Sequence, residues 1–151
     1  MAGKNQPLDG WKSEDFNSDV QTSLTAVDKR LTPFVFYRSN LANSASDVNA
    51  FFGIADFVYL NMPYDGEIVA FQVQLSSGSN GDDMSARVLK NISEITSTEL
   101  ALANGSQSNK VILGTPVSFV ANNAINVTFD TGASWTGITT DMVCVVYVRF
   151  T

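Results

Sequence analysis

Residues 66–75, Gly-Glu-Ile-Val-Ala-Phe-Gln-Val-Gln-Leu, decide the fold class, because apolar and polar side chains alternate along them. A period of two is typical of a β-strand that packs one face in a core and leaves the other face mostly in water. Pro63 and the pair Asp65-Gly66 supply turn chemistry just before it. By parity, Ile68 lies on the wetter face. The side chains predicted to face the core are Val69, Phe71, Val73 and Leu75.

The chain after Pro33 repeats this pattern in further short apolar segments separated by turn-forming residues. About nine short strands with turn signals between them are typical of antiparallel sandwiches and jelly rolls. The sequence therefore predicts an all-β fold, a single antiparallel β-sandwich, jelly-roll-like, over residues 33–151. An extended N-terminal arm (residues 1–17) and one short α-helix (residues 18–32) are predicted to precede it.

Two segments of this domain give detailed expectations. In residues 125–129 the pattern places Asn126 and Thr128 towards water and the three apolar residues between and beside them in the core. Earlier in the chain, residues 111–113 and 117–120 are predicted as two separate strands, because Gly-Thr-Pro at 114–116 is typical of a turn.

The last predicted strand, residues 142–150, is apolar on both faces. Its second face carries Val143, Val145 and Tyr147 and becomes charged only at Arg149. An antiparallel strand buried on both sides needs a cover for its second face. The sequence is compatible with two covers for this face, a subunit interface and the long loop at residues 38–49.

Residues 1–17 are polar apart from isolated large side chains, which composition alone assigns to a tail. Large apolar side chains are unfavourable in water, so we expect the segment to be held by a partner chain; the alternative is that it folds back on its own domain. The predicted anchor residues are Leu8, Trp11 and Phe16.

Residues 18–32 are predicted to form a helix that begins at the N-cap Ser18, with Gln21 completing a capping box, and ends before Pro33. Its apolar residues form one narrow stripe, the spacing of a coiled-coil seam. We predict self-association along this stripe; the alternative, packing of the helix on the sandwich, stays open at this stage. The seam residues are Val20, Leu24, Val27 and Leu31.

The composition excludes several function classes. The net charge of −6 and the absence of histidine argue against nucleic-acid binding and against most general-base, metal and triad chemistry. No apolar run is long enough to span a membrane, and the first twenty residues show no secretory pattern. We therefore expect no enzyme, no membrane partner and synthesis in a cytoplasm. The single cysteine, Cys144, lies in an apolar run and is predicted to be buried.

No constellation of residues predicts a catalytic, cofactor-binding or metal site. The carboxylates lie mostly in turn contexts, and Asp82-Asp83 in a glycine-rich loop match no defined calcium loop. Trp135 in the loop at residues 132–137 and Tyr64 in a turn are candidate glycan contacts, because exposed aromatic rings stack on sugars. The alternative is that they pack against the end of the sheet.

The order of arm, short striped helix and histidine-free sandwich resembles tailed-phage virion proteins of the capsid decoration or head-fibre type. The residues that carry the resemblance are the helical stripe, the run Met62-Pro-Tyr-Asp-Gly-Glu-Ile-Val-Ala-Phe and the closing run at residues 141–150. The resemblance is one of layout and covers most of the chain.

This resemblance implies a virion structural protein that is displayed on the virion surface after synthesis in the host cytoplasm. It implies a homo-oligomer, with a trimer favoured, whose arm is the anchor on the major capsid protein or another virion protein and whose helix is the seam. The alternative is a receptor-binding tail-fibre tip or a glycan-binding sandwich module.

Overall fold

The computed structural model describes residues 31–52, 58–78, 81–136 and 140–151. The predicted arm and the predicted helix as far as residue 30 lie outside these ranges. Thr32, predicted as the last helical residue, is instead the first residue of a strand. The residue before a proline is disfavoured in helical geometry, which explains why the chain is already extended at Thr32.

The described residues form eleven strands and one 3₁₀ turn, Thr96–Thr98. The strands are β1 Thr32–Arg38, β2 Val48–Asn49, β3 Phe51–Phe52, β4 Leu60–Asn61, β5 Gly66–Leu75, β6 Met84–Lys90, β7 Ser93–Glu94, β8 Leu100–Leu102, β9 Ser108–Phe119, β10 Ala124–Thr131 and β11 Met142–Phe150.

These strands build two antiparallel sheets. Sheet A has the order β3-β1-β11-β5-β9, and sheet B has the order β2-β10-β6-β7, with β4 also paired to β10 and β8 to β6. The antiparallel β-sandwich predicted from the sequence is confirmed. No helix among the described residues has the length and apolar character needed to cross a membrane.

The core lies between the inner faces of the two sheets, and alternate side chains of β6 and β11 are buried there. Sheet A contributes Phe36, Ile68, Phe71, Val73, Leu75, Met142, Cys144, Val146 and Val148. Sheet B contributes Met84, Ala86, Val88, Ile125, Val127 and Phe129.

A β-bulge in β5 overturns part of the predicted pattern. Ala70 pairs with Tyr147 and Ile68 with Val148, so Val69 is one extra residue relative to β11. An extra residue reverses the parity of the side chains on one side of the bulge. Ile68, predicted to face water, is therefore fully buried, whereas Val69, predicted in the core, is only half-buried.

The strand next to β5 also differs from the prediction, opposite the bulge. The two strands predicted at 111–113 and 117–120 are one strand, β9, that continues through Gly114, Thr115 and Pro116. The register to β5 shifts between Ile112 and Val117, which leaves three surplus residues on β9. Because β9 is the edge of sheet A, Pro116 can lack an N–H donor without breaking a ladder.

Two polar residues of β10 that were predicted in water are buried. Asn126 and Thr128 point away from the core as predicted, yet they are almost inaccessible. Asn126 Nδ2 donates to Asn49 Oδ1 at 2.9 Å, and Thr128 lies in register between Asn49 on β2 and Arg87 on β6. Side chains on the neighbouring strands β2 and β6, and not a second core, shield Asn126 and Thr128 from water.

The loop at residues 38–49 does not cover the second face of β11. Within the described residues its bonds reach the end of the sandwich, with the Leu41 N–H donating to the Thr140 carbonyl and the Ala45 N–H donating to Thr131 Oγ1. β11 is nevertheless the central strand of sheet A, and Val143 on its second face is 38% exposed.

The bulge predicts unequal effects of two neighbouring truncations. Ile68→Ala is expected to lower the free energy of unfolding by about 2–5 kcal/mol, because it leaves a cavity in the core. Val69→Ala is expected to cost roughly 1 kcal/mol or less, as at a half-exposed site. Urea denaturation of both variants at one protein concentration measures the difference, and a larger loss for Val69→Ala would contradict the bulged register.

Candidate functional site

The outer face of sheet A is mostly apolar over four neighbouring strands. Its side chains alternate with those of the core along four neighbouring strands, so they share one side of the sheet. Cross-strand pairs align them in rows, Val35 beside Val145 and Tyr37 beside Val143. This surface consists of Val35, Tyr37, Ala70, Gln72, Ile112, Val143, Val145 and Tyr147.

Several members of this face are unusually open to solvent for apolar residues of a sheet. Val35 is 45% exposed and Ile112 is 77% exposed, and Leu31, immediately before β1, is 50% exposed. Scattered exposed apolar residues are ordinary, but a contiguous patch marks an interaction surface. The second face of β11 thus has no cover among the described residues.

A pocket of about 440 Å³ opens on this face where the two register shifts occur. Val69 and Ala70 form one part of its wall and Ile112 another, with Leu31 at the side. The pocket thus lies where the bulge in β5 faces the surplus residues of β9.

The charges around the pocket are few and mostly positive. Lys110 and Arg149 both line it. Arg149 Nη2 lies 2.6 Å from Glu67 Oε2, whereas Lys110 makes no ion pair within the described residues. The Tyr147 hydroxyl donates a long, 3.4 Å hydrogen bond to Gln72 Oε1. The pocket is therefore apolar inside and cationic at its edge.

The outer face of sheet B has the opposite character. Arg87 lies at its centre and pairs with four carboxylates, Asp47 at 2.6 Å, Glu94 at 2.7 Å, Glu99 at 3.8 Å and Asp130. Burial by itself lowers the pKa of Arg87, but Asp47, Asp130 and Glu94 outweigh burial and raise the pKa overall. The guanidinium therefore stays charged and joins β6, β7, β10 and the segments before β2 and β8.

The structure separates the two aromatic residues predicted as glycan contacts. Trp135 is 2% exposed and its indole N–H donates to the Leu41 carbonyl at 3.2 Å, so the predicted stacking role does not fit its buried ring. Tyr64 is 67% exposed and packs edge-on against Phe150, with ring centroids 5.9 Å apart. A tryptophan in a loop can close the end of a sandwich, which the pattern of the loop alone does not reveal.

The acidic pair in the glycine-rich loop is used to join loops. Asp82 accepts hydrogen bonds from the backbone of Asp83 and Ser134, and Asp83 accepts one from Asn104. A side chain at Gly132 would collide with the Asp82 carboxylate, which explains the glycine there. No group of three or more ligating residues within the described ranges is arranged to hold a metal ion.

Cys144 is fully buried, as predicted, and burial raises the pKa of its thiol. A thiol kept protonated in the core is a poor nucleophile. The predicted anchor residues and three of the four seam residues lie outside the described ranges. The fourth seam residue, Leu31, lines the pocket on the outer face of sheet A.

No protein-family model matches the sequence, and no curated protein matches it. Among solved structures, the chain is similar to the cyanophage Pam1 capsid asymmetric unit, at 12% identity over 79% of this chain and 84% of that one, with a TM-score of 0.48. It is also similar to the globular domain of zebrafish complement 1qA (12% identity, 76% and 94% coverage, TM-score 0.39). A family 35 carbohydrate binding module from Clostridium thermocellum is a further likeness (8% identity, 79% and 92% coverage, TM-score 0.38). These likenesses concern the β-sandwich arrangement, and they assign neither a family nor a role.

The Arg87 cluster predicts a salt-dependent loss of stability. Arg87→Met is expected to lower the free energy of unfolding by about 1–3 kcal/mol at low salt, because four carboxylates lose their shared cation but remain partly hydrated. In 1 M NaCl the deficit is expected to shrink, since salt screens their repulsion.

The matched control is Arg38→Met. Arg38 lies over the Phe51 ring at 4.7 Å and makes no carboxylate pair within the described residues. Its loss is expected to cost about 1 kcal/mol or less, with little response to salt. Equal deficits for the two variants at both salt concentrations, measured by urea denaturation, would refute the structural role given to the cluster.

Proposed function

We propose that this β-sandwich protein is a structural subunit of a tailed-phage virion, a capsid decoration or head-fibre protein that works as a homo-oligomer. The observation that carries the proposal is the exposed apolar outer face of sheet A. Such a face is unfavourable in water and becomes favourable when a second copy covers it. The proposed role is attachment and display, without an enzymatic reaction.

The size of the face is consistent with part of a subunit contact. Four strands about 4.8 Å apart, with β1 seven residues long at about 3.4 Å each, give a projected area of roughly 450 Å². A standard interface takes about 800 Å² from each partner. The outer face of sheet A thus supplies about half of such an interface, and other segments of the chain complete it.

The distribution of charge also favours contact between identical chains. The protein carries a net charge of −6, so two copies repel one another over most of their surface. Around the outer face of sheet A, however, Lys110 and Arg149 exceed Glu67 by one positive charge. A contact through this face keeps the acidic surface of at least one of the two copies out of the interface.

In the assembly that we propose, three copies surround a common axis and attach to the major capsid protein or another virion protein through Leu8, Trp11 and Phe16. The predicted helical stripe at Val20, Leu24 and Val27 would extend the contact along the axis. Nucleic acid and membranes are not proposed partners, because the chain is acidic. Three linked arms would bind with avidity that a single arm lacks.

The alternative role, glycan recognition by a fibre tip, is carried by one observation, the exposed ring of Tyr64. Trp135 no longer supports it, because its ring is buried. A single exposed tyrosine is a weaker indication than a contiguous apolar face, so we rank attachment first.

The outer face of sheet A predicts a charge-sensitive assembly. Val35→Lys is expected to convert oligomers to monomers, because each contact would have to bury an unpaired cation. Ala101→Lys, an equal change of charge at an exposed position of β8 in sheet B, is the matched control and is expected to assemble normally. Light scattering coupled to size exclusion measures both, with circular dichroism to verify folding. Unchanged assembly of Val35→Lys would count against the proposed interface.

The arm predicts a separation of folding from attachment. Deletion of residues 1–17 is expected to leave a folded protein, since the core residues among those that the structure describes run from Phe36 to Val148. It is expected to abolish co-sedimentation with phage particles, because each buried anchor contributes roughly 1.5–3 kcal/mol. In the full chain, Trp11→Ala is expected to weaken binding and Lys12→Ala to leave it unchanged. Undiminished binding after the deletion would show that attachment lies elsewhere.

A further inference from the structure

The hairpin between β6 and β7 has a residue that its geometry disfavours. Lys90 pairs with Ser93, so Asn91 and Ile92 form a two-residue loop, and their φ angles are +50° and +65°. Loops of this kind favour Asn-Gly, because asparagine tolerates positive φ and glycine adopts it freely. Asn91 fits this preference. Ile92 does not, since a β-branched side chain at positive φ is strained.

The side chain of Ile92 gains nothing from its own subunit that would offset this strain. It is 74% exposed, one of the most open large apolar side chains among the described residues. Glycine or asparagine at this position would relieve the backbone, and a polar residue would suit the solvent. The position is therefore unfavourable for stability in two independent respects, which directs attention to a role outside the subunit.

The hairpin tip is also held firmly. The Asn91 N–H donates to the Ala124 carbonyl, and the Ala124 N–H donates to Asn91 Oδ1, both at 2.8 Å. Lys90 Nζ donates to the Ser118 carbonyl at 2.9 Å, which ties the hairpin to β9 as well. A fixed loop loses little conformational entropy on binding, so Ile92 is presented as a preorganised apolar projection.

We propose that Ile92 of one copy inserts into the pocket on the outer face of sheet A of a neighbouring copy. This inference rests on the proposed self-association and specifies its contact. The pocket, at about 440 Å³ and with walls that include Val69 and Ile112, has room for the Ile92 side chain. The contact adds to the sheet face the second patch that an interface of standard size requires.

Charge complementarity supports this occupant of the pocket. Glu94 follows Ile92 by two residues and belongs to the group of four carboxylates that share the single cation Arg87. The pocket edge carries Lys110, which makes no ion pair within the described residues, and Arg149. The hairpin side is thus acidic and the pocket side basic, so the approach of one to the other is favoured.

The contact has to join different copies. Ile92 belongs to a hairpin of sheet B, whereas the pocket opens on the side of sheet A that faces away from the core. A contact between two different patches of identical chains is heterologous, and it closes into a ring when the rotation between copies allows. The geometry of a trimer is one such ring.

The first test is the variant Ile92→Gly. It is expected to raise the Tm of the dissociated chain by about 2–4 °C, because glycine removes the strain at positive φ. It is also expected to weaken association by about 10- to 100-fold, which corresponds to the burial of one large apolar side chain. A variant that is more stable yet assembles less well separates a contact role from a folding role.

Asn122→Gly is the matched control. Asn122 is exposed and has a φ of +69°, but it carries no apolar side chain. This variant is expected to assemble like the original protein. The measurements are differential scanning calorimetry and sedimentation equilibrium of the full chain over a range of concentrations.

The second test locates the partner of Ile92 by disulfide trapping. A mixture of Ile92→Cys and Ile112→Cys chains, exposed to copper phenanthroline, is expected to yield linked dimers that contain one chain of each kind. Cys144 is buried, so it does not interfere. A mixture of Ile92→Cys and Asn43→Cys chains is the control and is expected to remain unlinked, since Asn43 is exposed in the loop that closes the end of the sandwich.

The outcomes distinguish this inference from the proposal on which it rests. Oligomers that persist unchanged in Ile92→Gly would overturn the role of Ile92 and leave the proposed self-association intact. The same conclusion would follow if Ile92→Gly lost particle binding but assembled normally. Weakened assembly without trapping to Ile112 would overturn the pocket as the binding site. An original protein that stays monomeric at every concentration would overturn both.

Discussion

The structure depends on β11, the central strand of sheet A, which is apolar on both faces. Its inner face, including Cys144, Val146 and Val148, is completely buried against sheet B and provides much of the core. Its outer face is also apolar, although no segment among the described residues covers it. The same strand therefore holds the sandwich together and creates the surface that a partner copy would cover.

The outer faces of the two sheets differ in polarity and charge. Sheet B carries a network in which one guanidinium holds carboxylates from several segments, and this polar face stays compatible with water. Sheet A carries few charges on its outer side. A chain with a net charge of −6 can approach a copy of itself most easily where its own negative charge is lowest. The distribution of charge and the distribution of apolar area thus favour the same face.

The proposed contact between copies depends on local departures from regular strand geometry. Val69 is an extra residue in β5, and surplus residues on β9 lie opposite it, which together open the pocket. Ile92 stands where a hairpin favours glycine. Alternation predicts regular strands, so it locates neither the bulge nor its consequence for Ile68. The residue pair Asn91-Ile92 is a visible signal in the sequence, but only the pairing of Lys90 with Ser93 shows that the loop has two residues.

Alternation in the sequence predicts the class of fold and the core-facing residues of β10, because a period of two is a local property of each segment. The sequence by itself also determined the burial of Cys144. The tertiary structure decided the positions of Trp135, Asn126 and Thr128, since their burial comes from segments distant in sequence. It likewise decided that the loop at residues 38–49 closes one end of the sandwich. Within the described residues the second face of β11 is thereby left open, because covering a face depends on where other segments lie and not on the strand itself.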